Sequence, residues 1–347
     1  MSYRPAVEVL RGGVVESIHS AAVAVVDPKG NLIAAWGSPE FKSYMRSSAK
    51  PIQVLPFLEA GGVGRFGLSP KEIAIMCASH SGKDEHVRTV ISILDKVGLS
   101  EEHLLCGIQP PADRETAERF IREGLEPTAL RHNCSGKHAG MLALSKILGA
   151  SVEEYGKLEH PVQQRILWVL SEMCEMDVRE ISVGVDGCSV PTFSVPLYSA
   201  ALAFAKLADP GALSHQRAEA CRAVWQAMTT YPRMVAGPDR FDTVLMEIAR
   251  KSLVAKGGAE GYQGIAIAPG ARYEGSTALG VAIKVVDGDR GNRARSVIAL
   301  KVLEELGVLS SEELVALDRF GPRKRTNWRE IEVGEIRACF QLQGQMK

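Results

Sequence analysis

The segment RSSAKPIQ, from Arg46 to Gln53, says most about the fold and chemistry of this chain. It places Ser47 and Lys50 three residues apart at the start of a predicted helix, and residues with this spacing share one helical face. A serine hydroxyl becomes a good nucleophile when a base takes its proton, and a lysine is such a base only while its amine is neutral. The N-terminus of the helix would also stabilise an oxyanion. The alternative is a helix-capping serine followed by a solvated lysine, which is the better interpretation of an isolated pair.

Length and composition describe an ordinary globular protein. The chain has 347 residues, of which 46% are hydrophobic and 24% charged, enough for one large domain or two lobes. Its 41 basic residues balance 41 acidic ones, and aromatic residues make up only 6%. This balance argues against a nucleic-acid partner and against an anionic membrane surface.

No segment predicts export or membrane insertion. The N-terminus lacks a basic region followed by a long apolar run, and no stretch reaches the apolar length needed to span a bilayer. The 7 cysteines are odd in number and scattered, so they do not indicate a disulfide framework. We therefore expect a cytoplasmic protein with free thiols.

The two ends of the chain predict strands, and the middle predicts helices. Apolar and β-branched residues predict strands over residues 14–26, 31–36, 264–268 and 278–286. Residues 50–252 are mostly helical in pattern, with a capping box at Ser69–Glu72. The expected fold class is α/β (of the α+β kind), with an antiparallel sheet built from both chain termini and a helical lobe. We predict a single domain over 1–347, with a sheet lobe of about 1–45 and 257–347 and a helical lobe of about 46–256.

Further segments combine small polar residues with cysteine, histidine or lysine. They are CASHSGKDEH at 77–86, HNCSGKHAGM at 132–141, VGVDGCSVPTF at 183–193 and KGGAEG at 256–261. The first is typical of a loop that offers hydroxyl and N–H groups to a ligand, and equally of a turn before a helix. The second lacks the spacing of a phosphate-binding loop, so nucleotide binding is set aside.

Two of these segments place a cysteine in a polar, glycine-rich turn. Cys134 and Cys188 could be small buried hydrophobic residues, the commonest state of a free cysteine. A thiolate pair could instead hold a soft metal ion, although two cysteines are too few for a closed zinc site without a third ligand. Lys256 and the two glycines after it are similar to the K-T-G element that accompanies S-x-x-K in serine β-lactamases. A flexible turn with a solvated lysine is the alternative.

Together the motifs resemble those of the rhizobial-type L-asparaginase II family. They are R-S-S-A-K-P-x-Q at 46–53, C-A-S-H-S-G at 77–82, H-N-C-S-G-K-H-A-G-M at 132–141 and V-D-G-C-x-x-P at 185–191. The resemblance covers nearly the whole chain. It implies a fold similar to those of serine β-lactamases and class A glutaminases, a homodimer, and hydrolysis of L-asparagine to L-aspartate and ammonia.

The resemblance also implies which residues form the site. The catalytic residues would be Ser47, Lys50, Ser79 and Lys256. They would form two Ser-Lys pairs, Ser47 with Lys50 and Ser79 with Lys256. A zinc ion would be held by Cys134, Lys137 and Cys188. The substrate would be bound by Arg46, His80, His138 and Asp186. Either serine could be the nucleophile, and we prefer Ser47 for its position at the helix start.

Other functions remain open from the sequence. A different amidase or a lactam-processing serine hydrolase would need the same residues. A non-catalytic amino-acid sensor would have lost one of the serines or lysines, and this chain retains all of them. A zinc-dependent hydrolase would not need Ser47. We expect zinc to orient the substrate, because a Ser-Lys pair already supplies the nucleophile.

Overall fold

The computed structural model describes residues 2–344, and its backbone divides into two compact units. The sheet unit contains the chain up to Ser48, Val195–Asp209, and the chain from Val244 onward. The helical unit contains Ala49–Ser194 and Pro210–Thr243. The first division lies close to the lobe boundary predicted near residue 46. Residues 195–209 and 244–256, predicted within the helical lobe, belong instead to the sheet unit.

The sheet unit is built on an antiparallel sheet. The strands of the chain are β1 (Arg4–Arg11), β2 (Val14–Val26), β3 (Leu32–Trp36), β4 (Lys42–Tyr44), β5 (Ser182–Val185), β6 (Pro191–Pro196), β7 (Leu253–Gly258), β8 (Tyr262–Ile267), β9 (Leu279–Val285), β10 (Arg323–Thr326), β11 (Glu332–Ala338) and β12 (Gln343–Gly344). Within residues 2–344, nine of them form one sheet in the order β10-β11-β1-β2-β9-β8-β7, with β3 beside β2 and β12 beside β3. Because β2 pairs with β9, strands from the two ends of the chain meet at its centre. The predicted fold class is confirmed.

The helices of the chain fall mostly in its middle. They are α1 (Lys50–Gln53), α2 (Leu55–Glu59), α3 (Gly62–Phe66), α4 (Pro70–Met76), α5 (Asp84–Val97), α6 (Arg114–Glu123), α7 (Ser135–Leu148), α8 (Pro161–Cys174), α9 (Leu197–Ala208), α10 (His215–Thr230), α11 (Pro232–Val235), α12 (Phe241–Ile248), α13 (Arg295–Glu305) and α14 (Ser311–Ala316). The predicted capping box at the start of α4 is present, with Ser69 and Glu72 bonded reciprocally. In the part of the chain that is described, no helix has the length and apolar character to cross a membrane.

Helix α9 belongs to the sheet unit because it packs directly on the central strands. A Cβ atom on Gly280 of β9 would lie 1.8 Å from the carbonyl oxygen of Ala201, and one on Gly264 of β8 would lie 2.1 Å from the Phe204 ring. Only glycine permits so close an approach of helix to sheet. The sequence pattern of α9 is that of a buried helix, and it does not indicate the surface against which the helix packs.

Helix α7 is the buried centre of the helical unit. Its residues from Ser135 to Ser145 are all buried, and it packs against α4, α5 and α8. A Cβ atom on Gly136 would lie 2.2 Å from the carbonyl oxygen of Ile75, so glycine is required for α7 to approach the end of α4. This contact brings the start of α7 beside the segment that follows α4, which carries Ser79.

A hairpin of β5 and β6 completes the part of the helical unit that concerns the site. The two strands pair from Ser182 with Ser194 to Val185 with Pro191. Asp186 to Ser189 form the turn between the two strands. Ser189 has φ +69°, a left-handed conformation that is unusual for a residue with a side chain.

Candidate active site

Lys50 is a buried lysine of the helical unit. It begins α1 and is only 1% exposed. Its Nζ donates to the carbonyl oxygen of Ala78, and lies 3.0 Å from Ser79 Oγ and 3.1 Å from Cys134 Sγ. A buried ammonium requires such acceptors because it has lost its contacts with water. The lysine of the S-x-x-K segment therefore contacts Ser79, the serine that the sequence analysis paired with Lys256.

Ser79 begins a loop, residues 79–83, that connects α4 to α5 and that we call the Ser79 loop. The backbone N–H of Ser79 donates to the Val235 carbonyl at 2.9 Å, and that of His80 donates to the Asn133 carbonyl at 3.2 Å. Ser79 itself is half-buried. Two different segments therefore hold the loop. Ser79 is partly exposed, whereas Lys50 is buried.

The hydrogen bonds of His80 fix its tautomer. The N–H of Gly82 donates to Nδ1 at 3.2 Å, so Nε2 carries the proton and donates to Ser135 Oγ at 2.9 Å. Ser135 in turn donates to the Leu130 carbonyl. Burial, followed by the charges of His86 and Lys50, holds the pKa of His80 well below its ordinary value. Both ring nitrogens are occupied by protein groups, which does not favour direct binding of substrate by His80.

Two thiols and a second lysine form a cluster, Cys134, Lys137 and Cys188, that we call the thiol cluster. Lys137 Nζ lies 2.9 Å from Cys188 Sγ, and the two cysteines are hydrogen-bonded to each other. All three side chains are buried. Cys134 also donates to Asn133 Oδ1 at 3.0 Å. The cluster is connected to Lys50 through Cys134, so the two lysines share one group of sulfur atoms.

The charges of the thiol cluster determine its protonation. The hydrogen bond from Cys188 and the nearby ammonium groups of Lys50 and Lys137 lower the pKa of Cys134 against the effect of burial. Burial by itself would lower the pKa of Lys137, but the sulfur atoms beside it raise that pKa overall. Asp186 acts in the same direction on Lys137. The pKa of Cys134 is therefore lowered and that of Lys137 raised by the same charges.

The thiol cluster contains donors that suit a soft divalent metal ion. Two thiols and an amine, buried and in mutual contact, match the preference of zinc for sulfur and nitrogen ligands. Among residues 2–344, no group of three or more histidine, cysteine or carboxylate side chains is arranged to hold a metal. A metal site here would therefore depend on Lys137 as its third protein ligand.

His138 follows Lys137 on α7 but is directed into the protein. Its Nδ1 lies 2.7 Å from the Tyr155 hydroxyl, which accepts the N–H of Leu105 at 2.8 Å. Its Nε2 is buried and has no hydrogen-bond partner within the described range. Burial, followed by the charge of Lys137, holds the pKa of His138 well below its ordinary value. The predicted contact of His138 with substrate stays a prediction.

The remaining predicted residues, Arg46, Ser47 and Lys256, belong to the sheet unit. Ser47 is half-buried, and Lys256 on β7 is 1% exposed, with Nζ donating to the Gly257 carbonyl at 2.7 Å. A Cβ atom on Gly258 would lie 2.6 Å from the Met45 carbonyl oxygen. The glycines after Lys256 therefore let the end of β7 pass close to the turn that carries Ser47.

The backbone around Ser47 differs from the predicted helix start. Residues Arg46–Ala49 form a 3₁₀ turn, and the α-helix that follows begins at Lys50 and has 4 residues. A helix this short contributes little dipole, so the predicted oxyanion stabilisation cannot rest on it. Arg46 has φ +51°, a left-handed backbone conformation that is unusual for a residue with a side chain.

Several residues that hold this arrangement were not predicted from the sequence. Arg131 donates to the Gly82 carbonyl at 2.7 Å, Tyr155 supports His138, and Asn133 accepts from Cys134. Arg131 immediately precedes the HNCSGKHAGM segment and Asn133 lies within it, so their position was a usable signal. Nothing in the sequence around Tyr155 indicates its role.

The match to a family model identifies the family of this chain. The model of the L-asparaginase II family matches residues 7–338. The chain belongs to the L-asparaginase II family, as its motifs predicted, and it is therefore a hydrolase that acts on amides. No curated protein matches it significantly.

Several solved structures share a distant likeness of fold. One is the Bacillus subtilis glutaminase YbgJ in covalent complex with 5-oxo-L-norleucine, which is 16% identical over 76% of this chain and 79% of that chain, with a TM-score of 0.36. Another is Mglu in its native form at 4.3 M NaCl, 14% identical over 85% of this chain and 63% of that chain, with a TM-score of 0.40.

Proposed function

We propose that the protein hydrolyses L-asparagine to L-aspartate and ammonia through a serine acyl-enzyme. The observation that carries the proposal is the contact of buried Lys50 Nζ with Ser79 Oγ at 3.0 Å, in a chain of the L-asparaginase II family. A lysine buried beside a hydroxyl can exchange a proton with it, and this is the step that activates or regenerates a serine nucleophile.

In the proposed first step, Lys50 is in its neutral form, Ser47 attacks the carbon of the side-chain amide, and the Lys50 amine takes the proton of the Ser47 hydroxyl. The accessible position of Ser47 and its strained 3₁₀ turn support this role. The bond between Lys50 and Ser79 offers the proton a route from the lysine to a second hydroxyl. Ser79 then donates its proton to the leaving nitrogen, which departs as ammonia, and Lys50 reprotonates Ser79 and returns to the neutral amine.

In the second step, water attacks the acyl-enzyme ester and the serine hydroxyl is restored. Lys50 and Ser79 would accept the proton of that water and return a proton to the Ser47 oxygen. The second step thus reverses the proton transfers of the first. Lys256 is the proposed support for this stage. Its burial is consistent with a role as a base or as a fixed positive charge near the substrate.

The polar residues around the pair have proposed roles in binding. Asp186 lies in an accessible turn and is suited to the ammonium group of the substrate, while Arg46 is suited to its carboxylate. His80 and His138 are completely buried, so we propose that they hold the site in shape.

We further propose that the thiol cluster binds zinc through Cys134, Lys137 and Cys188. Binding would release the proton that Lys137 holds in the metal-free cluster. When bound, the metal would supply a positive charge that orients the substrate. Homodimer formation is proposed from the family resemblance alone, and a cytoplasmic location is proposed from the scattered cysteines of the sequence. The mass of the protein in solution, measured by light scattering, tests the dimer.

Ammonia release tests the main proposal. Wild type should release ammonia from L-asparagine, and Ser47→Ala should lower kcat by at least about 10³-fold, the loss expected when the attacking group is removed. Wild type without activity on asparagine would refute the substrate assignment. Retained turnover by Ser47→Ala would refute the role of Ser47 and favour Ser79 or a metal-dependent route. Glutamine and a chromogenic lactam, assayed in parallel, separate the related hydrolases.

A further inference from the structure

The Ser79 loop is held near its end by a charged contact from Arg131 to the carbonyl oxygen of Gly82. Arg131 Nη1 donates to the Gly82 carbonyl at 2.7 Å, and Nη2 donates to Asp84 Oδ1 at 2.6 Å. One guanidinium therefore joins the last part of the loop to the first residue of α5. The loop has other anchors as well. Ser79, His80 and Ser81 make bonds between backbone groups, His80 also bonds to Ser135 Oγ, and Lys83 pairs with Asp113 at 3.2 Å.

The surroundings of Arg131 make this contact rigid. Its side chain is only 13% exposed, and its guanidinium carbon lies 4.7 Å from the centroid of the Phe120 ring. A charge-assisted bond to a buried carbonyl is stronger than a neutral one, and a planar fork fixes the direction of both bonds. Gly82 has φ +77°, and a Cβ atom there would lie 3.0 Å from the Arg131 carbonyl oxygen. The loop and the Arg131 segment are therefore fitted closely to each other.

We propose that Arg131 is a positioning residue for Ser79, holding the Ser79 loop where Ser79 Oγ meets Lys50 Nζ. Arg131 acts through the Gly82 carbonyl, and it does not contact the reacting atoms. The inference rests on the proposed function, since it assigns Arg131 to the catalytic step in which Ser79 takes part. Loss of the fork lets the loop relax, and a shift of about 1 Å in a reacting group can cost about 10²-fold in rate.

Arg119 provides a matched control on the same carboxylate. Its guanidinium donates to Asp84 Oδ2 at 2.9 Å and to Oδ1 at 2.8 Å, and it lies near the same Phe120 ring. Its hydrogen bonds go to Asp84 and none goes to the Ser79 loop within the described residues. The two arginines therefore share a charge and a partner, and differ in the bond to Gly82.

The test compares Arg131→Met, Arg131→Lys and Arg119→Met for kcat and KM with L-asparagine, normalised to folded protein by urea unfolding. We expect Arg131→Met to lower kcat about 30- to 100-fold with KM changed less than about threefold. Arg119→Met should stay within about threefold of wild type. Arg131→Lys should recover about tenfold of the loss, because an ammonium can reach one of the two acceptors.

Hydrogen exchange followed by mass spectrometry gives a second readout that needs no substrate. Amides of the Ser79 loop should exchange at least about tenfold faster in Arg131→Met than in wild type. In Arg119→Met their exchange rates should equal those of wild type. Equal effects of the two methionine variants on kcat and exchange, or no effect of Arg131→Met on either, would overturn the proposal. If wild type does not hydrolyse asparagine, the proposed function fails, and exchange alone decides whether Arg131 fixes the loop.

Discussion

The contact between Lys50 and Ser79 predicts that these two residues act as one unit. Lys50 Nζ makes three contacts, with the Ala78 carbonyl, Ser79 Oγ and Cys134 Sγ. Ser79→Ala removes one contact and leaves the lysine held by the other two. Lys50→Met removes the ammonium and places an unbranched apolar chain of similar length in the same buried space.

The expected loss of activity in each variant depends on which proton transfers that variant can still perform. A positioned proton-transfer group contributes about 10²- to 10⁴-fold to the rate. We expect kcat/KM to fall about 10²-fold in Ser79→Ala and about 10⁴-fold in Lys50→Met. If Ser79 acts only through Lys50, the double variant should also fall about 10⁴-fold, whereas independent action predicts about 10⁶-fold. The expected coupling is about 2.7 kcal/mol, at 1.36 kcal/mol per factor of ten.

The assay is ammonia release under first-order conditions, with each variant checked for folding by circular dichroism and thermal unfolding. A second cycle, Ser79→Ala with Lys256→Met, tests the pairing predicted from sequence. If the losses for Ser79→Ala and Lys50→Met multiply in the double variant while Ser79 is strongly coupled to Lys256, then Ser79 and Lys50 are not the catalytic pair, despite the hydrogen bond between them. That result would refute the proton route proposed here.

Three further predictions concern stability and the metal. Glu72→Ala should lower the free energy of unfolding by about 2–4 kcal/mol in urea, because the carboxylate, 4% exposed, caps α4 and pairs with Lys96 at 2.8 Å. Its isostere Glu72→Gln removes the charge and keeps the hydrogen-bonding oxygen, so it should cost less, and equal losses would contradict a contribution from the capping hydrogen bonds. Two arginines lower the pKa of Asp84 in the folded state, so its contribution to stability is complete above about pH 4–5 and declines as the pH falls towards the lowered pKa. Wild type and Asp84→Asn should therefore converge in melting temperature between pH 7 and pH 3, and a constant difference would contradict this. Removal of metal by a chelator should raise KM while leaving turnover at saturating asparagine, and complete loss there would assign the metal a part in the chemistry.

The elements that sequence predicted well are those whose local pattern agrees with their final environment. β2 alternates and then becomes continuously apolar where β9 pairs with it, and the Ser69 capping box decides the start of α4 without tertiary help. β1 and β11 were not predicted, because residues such as Glu8 and Arg337 interrupt their apolar pattern. These two charges pair across the strands at 2.8 Å, a compensation visible only after the ends of the chain meet.

The contacts of Lys50 were not predictable from the sequence. Spacing along the chain associates Lys50 with Ser47, whereas the contacts of its ammonium in the described structure come from Ala78, Ser79 and Cys134, which only the packing of α7 on α4 brings together. That packing depends on Gly136, whose missing side chain admits the Ile75 carbonyl.

The HNCSGKHAGM segment thus carries structural and chemical residues interleaved at successive positions. Ser135 closes the hydrogen-bond chain of His80, Gly136 sets the distance between helices, and Lys137 contributes to the thiol cluster. A substitution at Gly136 would therefore separate the thiol cluster from Ser79 without touching either. For this reason a sequence motif alone cannot distinguish the residues that perform the reaction from those that hold them in place.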